Sequence, residues 1–224
     1  MLAGVDIETP HGPARAHLHL VDDPRGLLVL GHGAGGGVGA PDLVAARRAA
    51  NESGWGVALV EQPYRVAGRR SPAPAHQLDA AWIAVVAALR GEVPPGGPRE
   101  GGRAEAAGGV PLVTGGRSSG ARVACRTADA TGADGVLCLA FPLVSPKGAS
   151  RQDELDLPAV PVLVVQGTND RFGMPAPGPN REVVQIAGDH GLKKDHVTLS
   201  AAVGEWLQSA RSSASKRSPR TRQS

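Results

Sequence analysis

The chain has 224 residues, 41% of them hydrophobic, 20% charged and 3% aromatic, with 31 glycines and 19 prolines. So many turn formers without a triplet period exclude a coiled coil, a helix bundle and collagen, while ordinary apolar content and a net charge of only +3 exclude a disordered chain. One domain of this length buries about 70–75% of its unfolded surface, and with only six aromatics the core falls to Val, Leu, Ile and Ala.

Val5–Glu8 and Ala14–Leu20 flank the turn cluster Thr9-Pro10-His11-Gly12-Pro13 and predict an opening hairpin. Leu27-Leu28-Val29-Leu30 is a continuous apolar run of the kind buried on both faces of a sheet, and it ends in Gly31-His32-Gly33-Ala34-Gly35-Gly36-Gly37. Pro41 suits the first position of a helix over Asp42–Asn51. Val57–Val60 is the next strand, followed by an Arg-rich and Pro-rich loop to Pro74. Within Gln77–Arg90, Leu78, Ala81, Trp82, Val85, Val86 and Leu89 recur at helical spacing. Gly91–Gly109 is almost all Gly, Pro and charge, and is expected as a flexible surface insertion, because the alternation resumes beyond it.

Val110–Thr114 is a strand running into Gly115–Gly120, with a helix over Ala121–Thr131. Val136–Ala140 and Val160–Val165 are two more buried strands, and the polar stretch Ser145–Leu157 between them is a candidate cap for a site. Glu182–Ile186 is the last strand and His196–Ala210 the last helix. A hairpin followed by six strands alternating with helices predicts an α/β protein, with a mostly parallel sheet of about eight strands covered by helices on both faces, in one domain over residues 1–210.

Charge is unevenly placed. Arg211, Lys216, Arg217, Arg220 and Arg222 fall within the last 14 residues, and without those 5 the remaining 19 basic residues face 21 acids. Residues 211–224 are therefore expected as a disordered basic tail. Contact of that tail with RNA, DNA or an anionic membrane is the weaker alternative to a solubilising terminus, so neither nucleic acid nor membrane is expected as a partner. Cys125 and Cys138 are too few for a disulfide framework and lack metal-ligand spacing, which predicts buried thiols of a reducing compartment. Residues 1–17 have no signal-peptide pattern, and no apolar run reaches the roughly 20 residues of a membrane span. A cytoplasmic protein is the expectation.

In a parallel sheet of this kind, sites form at the carboxyl ends of the strands. Gly116-Arg117-Ser118-Ser119-Gly120 matches G-x-S-x-G between a strand and a helix, where the glycines permit a tight turn and the serine hydroxyl is pushed out at the top of the sheet. Alternatively Ser118 is only a helix N-cap. A serine attacking a carbonyl needs two N–H donors for the developing oxyanion, and these are expected from Ser119 and from the His32-Gly33-Ala34-Gly35 turn, with Ala34 favoured. Gly33 and Gly35 would let substrate approach the backbone. A phosphate loop is disfavoured there, since neither a Walker lysine nor a correctly spaced acid follows. His32 is expected to bond neighbouring loops.

Asp170, in Gln166-Gly167-Thr168-Asn169-Asp170, is placed to orient an imidazole or is a plain turn acid. His190, in Gly188-Asp189-His190-Gly191, titrates near neutrality, as a general base must. His196 is the alternative base, expected to face solvent from the start of the last helix. Ser118, Asp170 and His190 follow the chain order of a hydrolase triad, nucleophile, acid, base.

Several segments are similar to one family. They are Leu30–Gly36, Pro63-Tyr64 through Gly68-Arg69-Arg70, Leu78-Asp79-Ala80-Ala81-Trp82, Gly115-Gly116-Arg117-Ser118, Leu139–Leu143, Gln166–Gly173 and Asp189-His190-Gly191-Leu192-Lys193. Over residues 25–208 the chain resembles the KANL/Tex type of α/β-hydrolase-like proteins, which is related to the dienelactone hydrolases. The resemblance implies the α/β-hydrolase fold and carries nucleophile, acid and base onto Ser118, Asp170 and His190. The chain departs from the family with Ser119 where Met is common, Gly191 where Ser is usual, and the 91–109 insertion. None of these removes a triad group. The resemblance implies no substrate, and the family includes a subunit of a chromatin-modifying complex.

The sequence therefore predicts a serine hydrolase of carboxylesterase or thioesterase type, acting on a small acyl substrate without metal or organic cofactor. Arg117, with Arg69 and Arg70, either favours anionic substrates or makes structural hydrogen bonds at the sheet end. The alternative function is a catalytically silent binding or scaffold protein that keeps the fold.

Overall fold

In the computed structural model of the protein, residues 4–92 and 110–214 are described. Strands β1 (Gly4–Ile7) and β2 (Ala14–His19) form the antiparallel hairpin, and β2 pairs antiparallel with β4 (Gly56–Glu61). With β3 (Leu27–Gly31), β5 (Leu112–Arg117), β6 (Gly135–Leu139), β7 (Val162–Gly167) and β8 (Arg181–Ile186) they make an eight-stranded sheet of order β1-β2-β4-β3-β5-β6-β7-β8. Every pairing from β4 to β8 is parallel. All the carboxyl ends of those six strands therefore point to one rim.

The apolar runs are continuous because both faces are covered. In β3, Leu28 and Leu30 join a core that includes Leu43, Trp55 and Trp206, while Leu27 and Val29 face a second core around Trp82, Val85 and Leu89. The same period of two divides β7: Leu163 and Val165 go to the first core, Val162 and Val164 to a third that contains Ala121, Cys125 and Phe141. Helices α1 (Pro41–Glu52) and α6 (His196–Ala214) cover the first face. Helices α3 (Ala75–Glu92) and α4 (Ser119–Thr131) cover the other. The six apolar positions of α3 noted above are all buried, each large one contributing roughly 1.5–3 kcal/mol. Helix α4 ends on Gly132, whose φ of 60° is the left-handed cap that glycine adopts without a Cβ penalty.

Most element ends shift from the sequence expectation by one or two residues, and larger departures are few. The Arg-rich loop contains a short helix, α2 (Pro63–Val66), begun by a proline at its first turn. Strand β5 continues through Gly115, Gly116 and Arg117, since partners on β3 and β6 satisfy a backbone that propensity disfavours. Helix α6 continues through 211–214, the first four residues of the expected tail. The remainder of that tail, 215–224, and residues 93–109 of the expected insertion lie outside the described residues. Within Ser145–Leu157, helix α5 (Gln152–Asp156) packs on the first turns of α4, where Glu154 takes Arg122 and Arg126 at 2.6 and 3.2 Å.

Cys125 on α4 and Cys138 on β6 are buried free thiols with Sγ atoms 3.5 Å apart, and this contact, together with burial, raises the Cys138 pKa. Among the described residues no helix is long and apolar enough to cross a membrane.

Candidate active site

Strand β5 ends at Arg117 and α4 begins at Ser119, leaving Ser118 to reverse the chain at φ 52°, ψ −106°. A non-glycine residue there costs roughly 1–3 kcal/mol of strain. Its neighbours enforce the turn: a Cβ on Gly116 or Gly120 would collide with the Gly31 carbonyl oxygen of β3, so only glycine lets the start of α4 approach the sheet this closely. The Ser118 N–H donates to Leu139 O at 2.9 Å. Its hydroxyl makes no capping bond to the helix and is left for other work, which sets aside the N-cap alternative.

That hydroxyl lies 2.9 Å from His190 Nε2, and His190 Nδ1 lies 2.8 Å from Asp170 Oδ2. The turns after β5, β7 and β8 thus meet in one hydrogen-bonded line. The Asp170 side chain is wholly buried, a position a carboxylate holds only with partners. Besides the imidazole it has two: Gln166 Nε2 donates to Oδ2 at 2.8 Å and the Phe172 N–H donates to Oδ1 at 2.9 Å. Gln166 closes β7, is itself fully buried, and reaches Phe141 O and Gly173 O with the same amide. The Asn169 N–H donates to Gly188 O at 2.9 Å and ties the acid turn to the histidine turn. Phe172 meets the imidazole edge-on, with centroids 4.6 Å apart, and restricts its rotation.

The glycine-rich turn after β3 arrives beside the same serine. A Cβ on Gly33 would stand 3.6 Å from Ser118 Cβ. Ala34 follows, with its carbonyl accepting the Tyr64 hydroxyl from α2 at 3.0 Å, which fixes the orientation of the turn. Ser119 is the first residue of α4, so its N–H has no acceptor within the helix. Gly35 is exposed at the outer edge of the turn. His32 is buried and neutral in role: Nδ1–H donates to Gly33 O at 2.8 Å and Nε2 accepts the Gln62 N–H at 3.1 Å. Burial lowers its pKa, with the Gly33 carbonyl opposing in part.

Arg117 is held by protein groups. Its Nε lies 2.8 Å from Oδ2 of Asp42, a fully buried acid on α1, and its Nη2 donates to His190 O at 2.9 Å. Of the two expectations for Arg117 the structural one describes this geometry. Burial raises the Asp42 pKa, and the Arg117 guanidinium opposes that. Arg69 and Arg70 are exposed and do not line the cleft beside His190. His196 is half-buried: it lines an open groove with Pro41, Val44 and Arg48, and its Nε2 is buried without a hydrogen-bond partner.

Sequence reasoning missed Asp42, Gln166, Tyr64 and Phe172. Gln166 carried one signal, an amide closing an otherwise apolar buried strand, where a polar side chain must have a partner.

Beside His190 opens a cleft of about 380 Å³ lined by Arg117, Asn169, Arg171, Asp189, Gly191 and Lys193. The cleft meets the hydrogen-bonded line at His190, and a hydroxyl, imidazole and carboxylate in line can carry a proton off the serine as the oxygen attacks a carbonyl.

A family model described as an alpha/beta hydrolase domain matches residues 24–197. No curated protein matches the sequence significantly. Among solved structures, a lidless a/b serine hydrolase from Xanthomonas campestris superposes with a TM-score of 0.75 at 20% identity, covering 93% of this chain and 94% of that one. Est1E from Butyrivibrio proteoclasticus gives 0.69 at 15% identity, covering 93% and 99%. A dienelactone hydrolase from Anabaena variabilis gives 0.66 at 12% identity, covering 93% and 97%.

Proposed function

The chain belongs to the alpha/beta hydrolase domain family, and on that premise we propose that it is a serine hydrolase acting on an ester or thioester of a small substrate. One observation carries the proposal: the hydroxyl of a strained turn residue, Ser118, in line with His190 and the buried Asp170, at 2.9 and 2.8 Å.

In this mechanism Ser118 Oγ attacks the acyl carbon while its proton passes to His190 Nε2, and the carbonyl becomes an oxyanion held by the amides of Ala34 and Ser119. Asp170 keeps the proton on Nδ1 and stabilises the imidazolium. The intermediate collapses as His190 returns its proton to the leaving alcohol or thiol. Water then attacks the acyl-serine, giving its proton to His190, and the released carboxylic acid leaves Ser118 Oγ to recover that proton. No step calls on a metal or organic cofactor.

The test is covalent. A fluorophosphonate probe phosphonylates an activated serine oxygen with loss of fluoride. Wild type is expected to be labelled at Ser118, with labelling abolished in Ser118→Ala and in His190→Ala and ester turnover reduced at least about 10³-fold. Absence of labelling in folded wild type overturns the proposal in favour of a hydrolase-like binding protein.

A further inference from the structure

No Ala, Val, Leu, Ile or Phe side chain lines the cleft beside His190. Arg117, Asn169, Arg171, Asp189, Gly191 and Lys193 are its lining apart from the imidazole, whereas a pocket for an alkyl or aryl group binds by burying apolar surface.

The charges of the cleft are unevenly spent. Arg15, Arg117, Arg122, Arg126 and Arg181 each lie within 4.0 Å of a carboxylate. Among the described residues Arg171 and Lys193 have no such partner. Both are exposed, and each packs on a neighbour. The Arg171 guanidinium carbon sits 4.8 Å from the centroid of Phe172, the ring that packs edge-on against His190. The Lys193 stem lies across Gly191, with Cγ and Cε each 3.5 Å from where a Cβ on that residue would stand. The acid of the cleft, Asp189, accepts the Gly191 N–H at 2.8 Å. That bond, helped by Lys194 and Lys193, holds its pKa below the ordinary value, so it is ionised at neutral pH. With Arg117 balanced by Asp42, the two free cations outnumber the one acid.

We infer that this cleft is an anion subsite, in which Arg171 and Lys193 hold a carboxylate or phosphate group of the substrate whose ester or thioester carbonyl is presented to Ser118. The inference rests on the hydrolase mechanism above and names its substrate class: short acyl esters carrying a second, negatively charged group. Arginine contributes planar, forked donors and lysine a point charge, and each such charge-assisted bond is strong enough to change specificity by about tenfold.

The measurement is the ratio of kcat/KM for 4-nitrophenyl hemisuccinate to that for the neutral 4-nitrophenyl butyrate. Wild type is expected to favour the anion by about tenfold or more, and Arg171→Ala/Lys193→Ala to bring the ratio near unity, with Arg171→Lys between the two. Competition by inorganic phosphate against succinate separates the two anion chemistries, the stronger inhibitor marking the group the subsite takes. Calorimetry on Ser118→Ala is independent of turnover: monomethyl succinate is expected to bind more tightly than methyl butyrate, and to lose that advantage when Arg171 and Lys193 are also replaced by alanine. An unchanged ratio in the double variant, with Ser118→Ala still abolishing turnover, overturns the subsite and leaves the hydrolase intact. Binding of monomethyl succinate without turnover of any ester upholds the subsite and overturns the hydrolase.

Discussion

The turn after β5 and the paired turns after β7 and β8 bring their groups to one point by different means. At Ser118 the backbone does the work: the residue is forced to positive φ between two glycines that no side chain can replace without striking the Gly31 carbonyl. Around Asp170 and His190 side chains share the work: Gly167 leaves no room for a Cβ beside the Asp189 carbonyl, but Gln166, Phe172 and Arg117 each add a bond or a packed ring. A sterically enforced turn fails outright when an atom is added. A hydrogen-bonded one should degrade in steps, because each bond contributes only about 0.5–1.5 kcal/mol net, and up to about 3 where a charge takes part.

The largest effect that can sharpen this contrast is chemical. Asp170→Asn keeps the shape of the acid turn but removes the charge that holds the imidazole tautomer, and kcat is expected to fall about 10³–10⁴-fold in a p-nitrophenyl acetate assay. Next comes Gly120→Ala, in which a single methyl group should cost about 1–3 kcal/mol or more, read as a lower midpoint in urea unfolding. A midpoint unchanged within error would break the claim that sterics enforce the elbow. Gln166→Leu removes one donor from the buried carboxylate and is expected to lower kcat about tenfold with little change in KM, a step rather than a collapse. A loss as large as that of Asp170→Asn would show the acid turn to be as unforgiving as the elbow.

The smallest expected effect is a dependence of stability on pH. His32 lies in the turn after β3, bonded to Gly33 and Gln62, and burial depresses its folded pKa below 6.5. As pH falls through 6.5 the unfolded chain takes up a proton that the folded one resists, so the stability it contributes is present above that value and lost on acidification. Urea midpoints between pH 7 and pH 5 should drop less steeply in His32→Gln than in wild type.

The elbow was legible in the sequence because its glycines and serine lie together in Gly116–Gly120 after an apolar strand, although the Gly31 carbonyl that enforces it comes from β3. Asp170 and His190 were legible as candidates from chain order and from their position after apolar strands. The supports were not. Asp42 meets Arg117 across 75 positions of chain, and the isolated sequence shows only an acid after a proline at a helix start. The order β2-β4-β3-β5 likewise depends on which neighbours bury each strand, a tertiary outcome that periodicity alone does not encode. Helix α2 was hidden by composition, since a four-residue helix is too short to show any period.

Tyr64 is the only tyrosine of the chain, and its hydroxyl rests on the Ala34 carbonyl, one peptide away from the proposed oxyanion amide. Biosynthetic replacement by 3-fluorotyrosine would therefore give a single ¹⁹F resonance at the rim of the site. The molecule carries its own spectroscopic reporter, and occupancy of the neighbouring turn can be followed in solution by one line in one spectrum.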